Sequence, residues 1–113
     1  MIKIYHNPRC RKSREGLAIL EDANKAFDVI KYLEDQLNTN ELKAIISKLG
    51  ITPLELVRKN EAIWKSDYKG KTLTDAQIIE AMVKHPKLIE RPIVINGDKA
   101  VIGRPPESIL NII

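Results

Sequence analysis

One cysteine, Cys10, and two histidines, His6 and His85, are all that this 113-residue chain offers in the way of thiol or imidazole. A single cysteine makes no internal disulfide and no Cys-x-x-Cys redox pair, and it fits a reducing compartment. Two histidines and one thiol are too few for a zinc site. Aromatic residues are only 4% of the chain, and no basic run has aromatics interleaved as a nucleic-acid surface would. No apolar run approaches the roughly 20 residues that cross a bilayer, and "MIKIYHNPRC" has no signal-peptide core. These absences lead us to expect a cytoplasmic protein with no membrane or nucleic-acid partner, no metal and no bound cofactor.

What is present is the make-up of a globular protein: 43% apolar and 30% charged residues, net charge +4 and a pI near 9.2. A chain of this length is expected to form one domain over 1–113, burying roughly two thirds of its unfolded surface. The lysines are scattered among Asp and Glu and read as a solubilising surface. The six arginines are less even: Arg9, Arg11 and Arg14 beside the cysteine, then Arg58, Arg91 and Arg104.

Periodicity divides the chain into short elements. "IKIY" (2–5) reads as a strand, followed by a loop through Asn7-Pro8 and a helix from about Cys10 or Arg11 to Asn24, with Leu17, Leu20 and Ala23 on one side. "FDVIKYL" (27–33) reads as a second strand, parallel to the first through a right-handed crossover. Asn38 to Glu41 opens a helix carrying Leu42, Ile45, Ile46 and Leu49, and Gly50 closes it. Thr52-Pro53-Leu54-Glu55 signals a short helix running toward Arg58, with Thr52 as N-cap, Pro53 at the first helical position and Glu55 completing a capping box. "KSDYKGK" reads as a polar connection, with Trp64 and Tyr68 as packing residues nearby. Thr74 to Gln77 is a capping box that leads a helix through Ile78, Met82 and Val83 to Pro86, leaving His85 at its surface end. "PIVINGDKAVIG" (92–103) reads as a hairpin turning at Asn96-Gly97, and "PPESILNII" as a last helix giving Ile109, Leu110, Ile112 and Ile113 to the core. The order β-α-β, helices, β-β, α predicts an α/β fold: a mixed four-stranded sheet flanked by helices, the thioredoxin-like plan, with a helical insertion over about 38–85.

On that plan Cys10 sits after the first strand at the start of the first helix, where unpaired N–H groups and the positive dipole end favour an anion. A free thiol, with a pKa near 8.5, is only about 3% ionised at pH 7. Ionising most of it means lowering that pKa by about two, or about 2.7 kcal/mol, and a helix terminus supplies only about 0.3–1 kcal/mol. Cations and donors must supply the rest, and Arg11, Lys12 and Arg14 with the Ser13 hydroxyl are the local candidates. A phosphatase loop is excluded, because Cys-x5-Arg would need arginine where Gly16 stands. An anion beside this sulfur must therefore be held by side chains from elsewhere in the chain.

"YHNPRCRKSRE" resembles the active-site segment of the ArsC family, the glutaredoxin-coupled arsenate reductases and their relatives. "LVRKN" (56–60), "LIERPIVI" (88–95) and "GRPPESIL" (103–110) resemble family segments in the same order, so the likeness covers essentially the whole chain. It implies a thioredoxin-like fold, with Cys10 as nucleophile and Arg58, Arg91 and Arg104 as the arginines that bind the oxyanion. His6, Ser13 and Arg14 match positions supporting the thiolate, and Arg91-Pro92 matches a cis peptide. The implied activity is reduction of arsenate to arsenite through a Cys10 thiol-arsenate adduct, with glutathione as co-substrate, glutaredoxin as partner and a monomeric enzyme. Guanidinium suits the task, since its planar fork clamps two oxygens where lysine offers a point charge. The sequence departs from the family at Arg11-Lys12, where reductases commonly carry Gly-Thr. Two alternatives share the fold: a monothiol Cys-x-x-Ser glutathione-dependent thiol-disulfide reductase, and a non-enzymatic Spx-like regulator that binds RNA polymerase.

Overall fold

The computed structural model describes residues 2–113, and its chain falls into two compact units: Met1–Asp35 with Arg91–Ile113, and Gln36–Glu90. The second unit is somewhat wider than the insertion expected at 38–85.

The first unit is a four-stranded sheet with order β2-β1-β3-β4, built from β1 (Ile2–Tyr5), β2 (Phe27–Ile30), β3 (Ile93–Asn96) and β4 (Lys99–Ile102). β1 and β2 run parallel, while β1–β3 and β3–β4 are antiparallel. Helix α1 (Arg11–Asp22) makes the crossover between β1 and β2. It buries Ser13, Gly16 and Leu20 and packs against a 3₁₀ helix at Pro106–Asn111. The core joins Ile2, Ile4, Leu20, Val94 and Ile109 from both halves of this discontinuous unit. Burying an aliphatic side chain of this size is worth about 1.5–3 kcal/mol.

Three expectations for this unit are corrected. The second strand ends at Ile30 rather than 33, because Lys31 begins a turn in which its carbonyl accepts from the Glu34 and Asp35 N–H groups. The hairpin turns one residue later than expected: Asn96 stays in the ladder opposite Lys99. The two central residues are thus Gly97 and Asp98, and positive φ (62°) falls on Gly97 alone, as a type II′ turn requires. The last helix is 3₁₀ rather than α, and Leu110 stays 56% exposed while Ile109 is fully buried. A 3₁₀ helix turns every three residues, which places Ile109 and Leu110 on different faces.

The second unit holds α2 (Thr39–Leu49), α3 (Ala62–Asp67) and α4 (Asp75–Lys84), with 3₁₀ turns at Pro53–Leu56 and Pro86–Leu88. Of the two expected capping boxes, Thr74/Gln77 forms and Thr52/Glu55 does not. Asn38/Glu41, read only as a helix start, forms a full box, and Gly50 closes α2 in the left-handed conformation. Leu42, Ile45 and Ile46 of α2 are buried, as are Ile78, Ile79 and Met82 of α4. The segment at Thr52 differs from expectation. It is a single 3₁₀ turn, and the Thr52 side chain makes no cap hydrogen bond. The start of "KSDYKGK" is helical, since Lys65, Ser66 and Asp67 belong to α3. The reason is packing: Trp64 is buried and stacks on Tyr68 at 5.3 Å, and the His85 ring meets Tyr68 edge-on at 6.2 Å. Among the described residues no helix is long and apolar enough to cross a membrane, and no group of three or more His, Cys, Asp or Glu side chains could hold a metal ion.

Candidate active site

The loop after β1 delivers the cysteine through a chain of local hydrogen bonds. The His6 N–H donates to the Ile30 carbonyl at 2.8 Å, extending the strand pairing by one residue. Asn7 and Pro8 then turn the chain: the Cys10 N–H donates to the Asn7 carbonyl at 3.0 Å, and the Arg9 N–H donates to Asn7 Oδ1 at 3.0 Å. Proline is suited to the second position of such a turn, and asparagine to the first. Cys10 becomes the N-cap of α1 with extended backbone angles, and its carbonyl accepts the first helical bond from the Arg14 N–H at 3.0 Å. The thiol therefore sits at the cap position beside the N–H groups of the first turn, where it makes no side-chain cap hydrogen bond of ordinary geometry.

The opposite wall comes from the two ends of the hairpin. The Gly103 N–H donates to the Pro92 carbonyl at 2.8 Å, which sets Arg91 and Arg104 side by side despite their distance in sequence. Arg104 Nε donates to the Arg91 carbonyl at 2.9 Å and its Nη2 reaches Cys10 Sγ at 3.5 Å. Arg91 is buried, at 8% exposure. Both Arg91-Pro92 and Arg104-Pro105 are cis; the resemblance implied the first and not the second. Two glycines make room for the Pro92 ring. A Cβ on either Gly16 or Gly103 would lie 2.8 Å from Pro92 Cγ.

These neighbours decide the charge on the sulfur. Burial pushes the Cys10 thiol up, but the Ser13 backbone N–H, a hydrogen bond and charge from Arg91, and the Arg104 charge outweigh it, leaving the thiol below its ordinary value. The local candidates behave differently from expectation. Arg11 Nε and Lys12 Nζ share Glu15, at 3.2 and 3.7 Å, and Arg14 Nη1 donates to the Pro8 carbonyl at 3.0 Å. Ser13 acts on the sulfur through its backbone, while its buried hydroxyl is taken up by the Asn7 N–H at 3.0 Å and His6 Nδ1 at 2.7 Å. His6 is held below its ordinary pKa by burial first and then by the Lys31 charge, with Arg14 adding and the Ser13 contact opposing. A neutral His6, Asn7 and Ser13 together form the buried polar base on which the loop rests. Sequence reasoning missed Asn7, although Asn-Pro before a helix start is a turn signature.

Arg58 belongs to the second unit and has its own surroundings there. Its N–H donates to the Leu88 carbonyl at 2.7 Å, and the Glu90 N–H to the Leu56 carbonyl at 2.9 Å, on either side of an antiparallel bridge between Val57 and Ile89. This clip presents the guanidinium to two carboxylates: Nε lies 3.4 Å from Glu61 and 3.8 Å from Glu90. Its Nη1 is buried without a hydrogen-bond partner. Neither carboxylate was anticipated; Glu61 at i+3 from Arg58 was the available signal.

Comparison with known proteins shows the family and the fold. The model of the ArsC family matches residues 5–112. An arsenate reductase of Haemophilus influenzae is 47% identical over 112 residues, covering 97% of each chain, and one from Neisseria meningitidis is 41% identical over 96% of this chain and 94% of its own. Among solved structures, an arsenate reductase from Vibrio cholerae superposes with a TM-score of 0.94 at 46% identity, covering 99% of this chain and 97% of that one.

Proposed function

Because the chain belongs to the ArsC family and has its thioredoxin-like fold, we propose that it is an arsenate reductase, an oxidoreductase acting on arsenate through Cys10. The observation that carries this reading is the reach of Arg104 Nη2 to Cys10 Sγ at 3.5 Å, beside a thiol already held below its ordinary pKa. A thiolate alone would repel an oxyanion, and guanidinium groups next to it turn that repulsion into attraction.

The Cys10 thiolate attacks As(V), and an arsenate oxygen leaves as water, giving a thiol-arsenate adduct. Arg91 and Arg104 neutralise the oxyanion in this step, and Arg58 is assigned to it by its match to the family position. The chain has no second cysteine to resolve the adduct, so an external thiol must do so. Glutathione sulfur bonds to the arsenic of the adduct as a second water leaves. A glutaredoxin thiolate then attacks that sulfur, forming a glutathione–glutaredoxin disulfide and leaving the As–S electron pair on arsenic. Water releases the As(III) from Cys10 as arsenite. Reduced glutathione at these levels is a property of cytoplasm, and the enzyme is assigned there. His6 and Ser13 hold the loop in place, and Arg14 ties it to Pro8.

The test is arsenate-dependent NADPH oxidation with glutathione, glutaredoxin and glutathione reductase. Turnover is expected for the natural chain, with Cys10→Ser at background. No turnover above that variant would remove the assignment. If disulfide exchange with glutathione then survived replacement of Arg104, the monothiol reductase reading would take its place.

A further inference from the structure

The cations on the outer side of Cys10 are not the ones that ionise it. Arg91, Arg104 and the Ser13 N–H lower its pKa, whereas Arg11 and Lys12 point to Glu15. Residues 9–15 nonetheless hold Arg9, Arg11, Lys12 and Arg14 against one carboxylate, Arg9 in the turn before Cys10 and the other three on the start of the helix that Cys10 caps. The Arg11 side chain is 84% exposed and that of Lys12 46%. An ion pair this exposed exchanges readily for a carboxylate arriving from solution.

We propose that Arg11 and Lys12 select the thiol that attacks the Cys10 adduct, favouring low-molecular-weight thiols that carry carboxylates over neutral or cationic ones. This rests on the reading above that Cys10 forms a covalent adduct cleared from outside. The attacking thiolate must approach a site already holding an anion, and a carboxylate-bearing thiol adds further negative charge. Arg91 and Arg104 sit at the sulfur and serve the bound oxyanion. Arg11 and Lys12 follow the cysteine by one and two residues with side chains 84% and 46% exposed, and in this proposal they meet the carboxylate end of the incoming thiol. Their charges offset the incoming carboxylates and steer them, an effect of ordered charge on association rate that salt removes.

The experiment uses thiol exchange and needs no arsenate, so its failure is separate from failure of the arsenate reading. The full chain is converted to a Cys10 2-pyridyl mixed disulfide. An attacking thiolate then forms a new S–S bond to Cys10 Sγ and breaks the bond to the pyridyl sulfur, whose electron pair leaves as 2-thiopyridone and is read by absorbance. Rate constants for mercaptosuccinate, 3-mercaptopropionate, 2-mercaptoethanol and cysteamine are each divided by that thiol's rate with free dipyridyl disulfide, which cancels intrinsic nucleophilicity. The normalised rates are expected to rise from the cationic to the dicarboxylate thiol by on the order of tenfold at low salt, and to converge at about 1 M salt. In Arg11→Gln/Lys12→Gln the ratio of dicarboxylate to neutral thiol should fall several-fold, and in Arg11→Glu/Lys12→Glu it should drop below one. Helicity by circular dichroism checks that the helix persists. A flat series in the natural chain, or a ratio unchanged in the charge-reversed variant, would overturn the proposal.

Discussion

In the sheet unit Arg104 gives its Nε to a neutral acceptor, the Arg91 carbonyl, whereas in the helical unit Arg58 has its Nε within reach of two carboxylates, Glu61 and Glu90. The residue type is the same, but its surroundings give it opposite electrostatic weight. Arg104 Nη2 also reaches Cys10 Sγ at 3.5 Å, so this guanidinium already faces the sulfur. One flanked by two carboxylates sits in a locally negative cluster, and an anion must compete for it. Family position alone therefore does not rank the arginines; what each one is already bonded to does.

The comparison breaks first at Arg104. Arg104→Ala should lower kcat/KM for arsenate roughly tenfold to hundredfold, the scale of a hydrogen bond to a charged group. Cys10 alkylation should also shift toward the ordinary thiol range: a lowered pKa keeps thiolate present as pH falls, so the variant loses reactivity at neutral pH first. If Arg58→Ala costs as much or more, the ranking drawn here is wrong. Next comes the wall itself. Gly16→Ala would push a methyl to 2.8 Å from Pro92 Cγ and 3.0 Å from Ile109 Cδ1. Overpacking of this kind costs about 1–3 kcal/mol, against a gain in helix propensity of up to about 1 kcal/mol. A net loss should lower Tm by a few degrees and quicken amide exchange in the sheet unit before the helical one.

Smaller effects sharpen the contrast. Glu61→Gln removes one competitor and should lower KM for arsenate by about two- to fivefold, as for partly exposed ion pairs. The change should vanish in an Arg58→Ala background, which a double-mutant cycle reads directly. The smallest effect is at His6. Its folded pKa is depressed, so the unfolded chain binds the proton more readily. Stability should fall as pH drops below about 6.5 toward the folded value. Urea midpoints measured across that window, with His6→Gln as the control lacking the slope, provide the check.

Much of the fold was legible because short-range rules govern it. The capping box at Thr74, the helix start at Asn38, the αL glycine after α2 and the strand pattern of β1 each depend on residues within four positions of one another. The misreadings arose where packing overrode local preference. Pro106–Asn111 carries helix signals yet runs as 3₁₀, and the burial of Trp64 draws a polar stretch into α3. At the site, the position of Cys10 at the start of a helix followed from its neighbours in sequence. The partners of its charge did not, since nearby Arg11, Lys12 and Arg14 satisfy Glu15 and Pro8 instead.

Read without coordinates, the residues were enough to determine a lone thiol at a helix start and a mixed sheet around it, while Arg58, Arg91 and Arg104 were expected at an anion only through resemblance to the ArsC family. Only the tertiary structure decided which cations touch the sulfur, and the reason is hairpin pairing. The bond from the Gly103 N–H to the Pro92 carbonyl brings two distant arginines to one place. Register between strands is a long-range choice, made by the whole sheet burying Ile4, Val94 and Ile109 together.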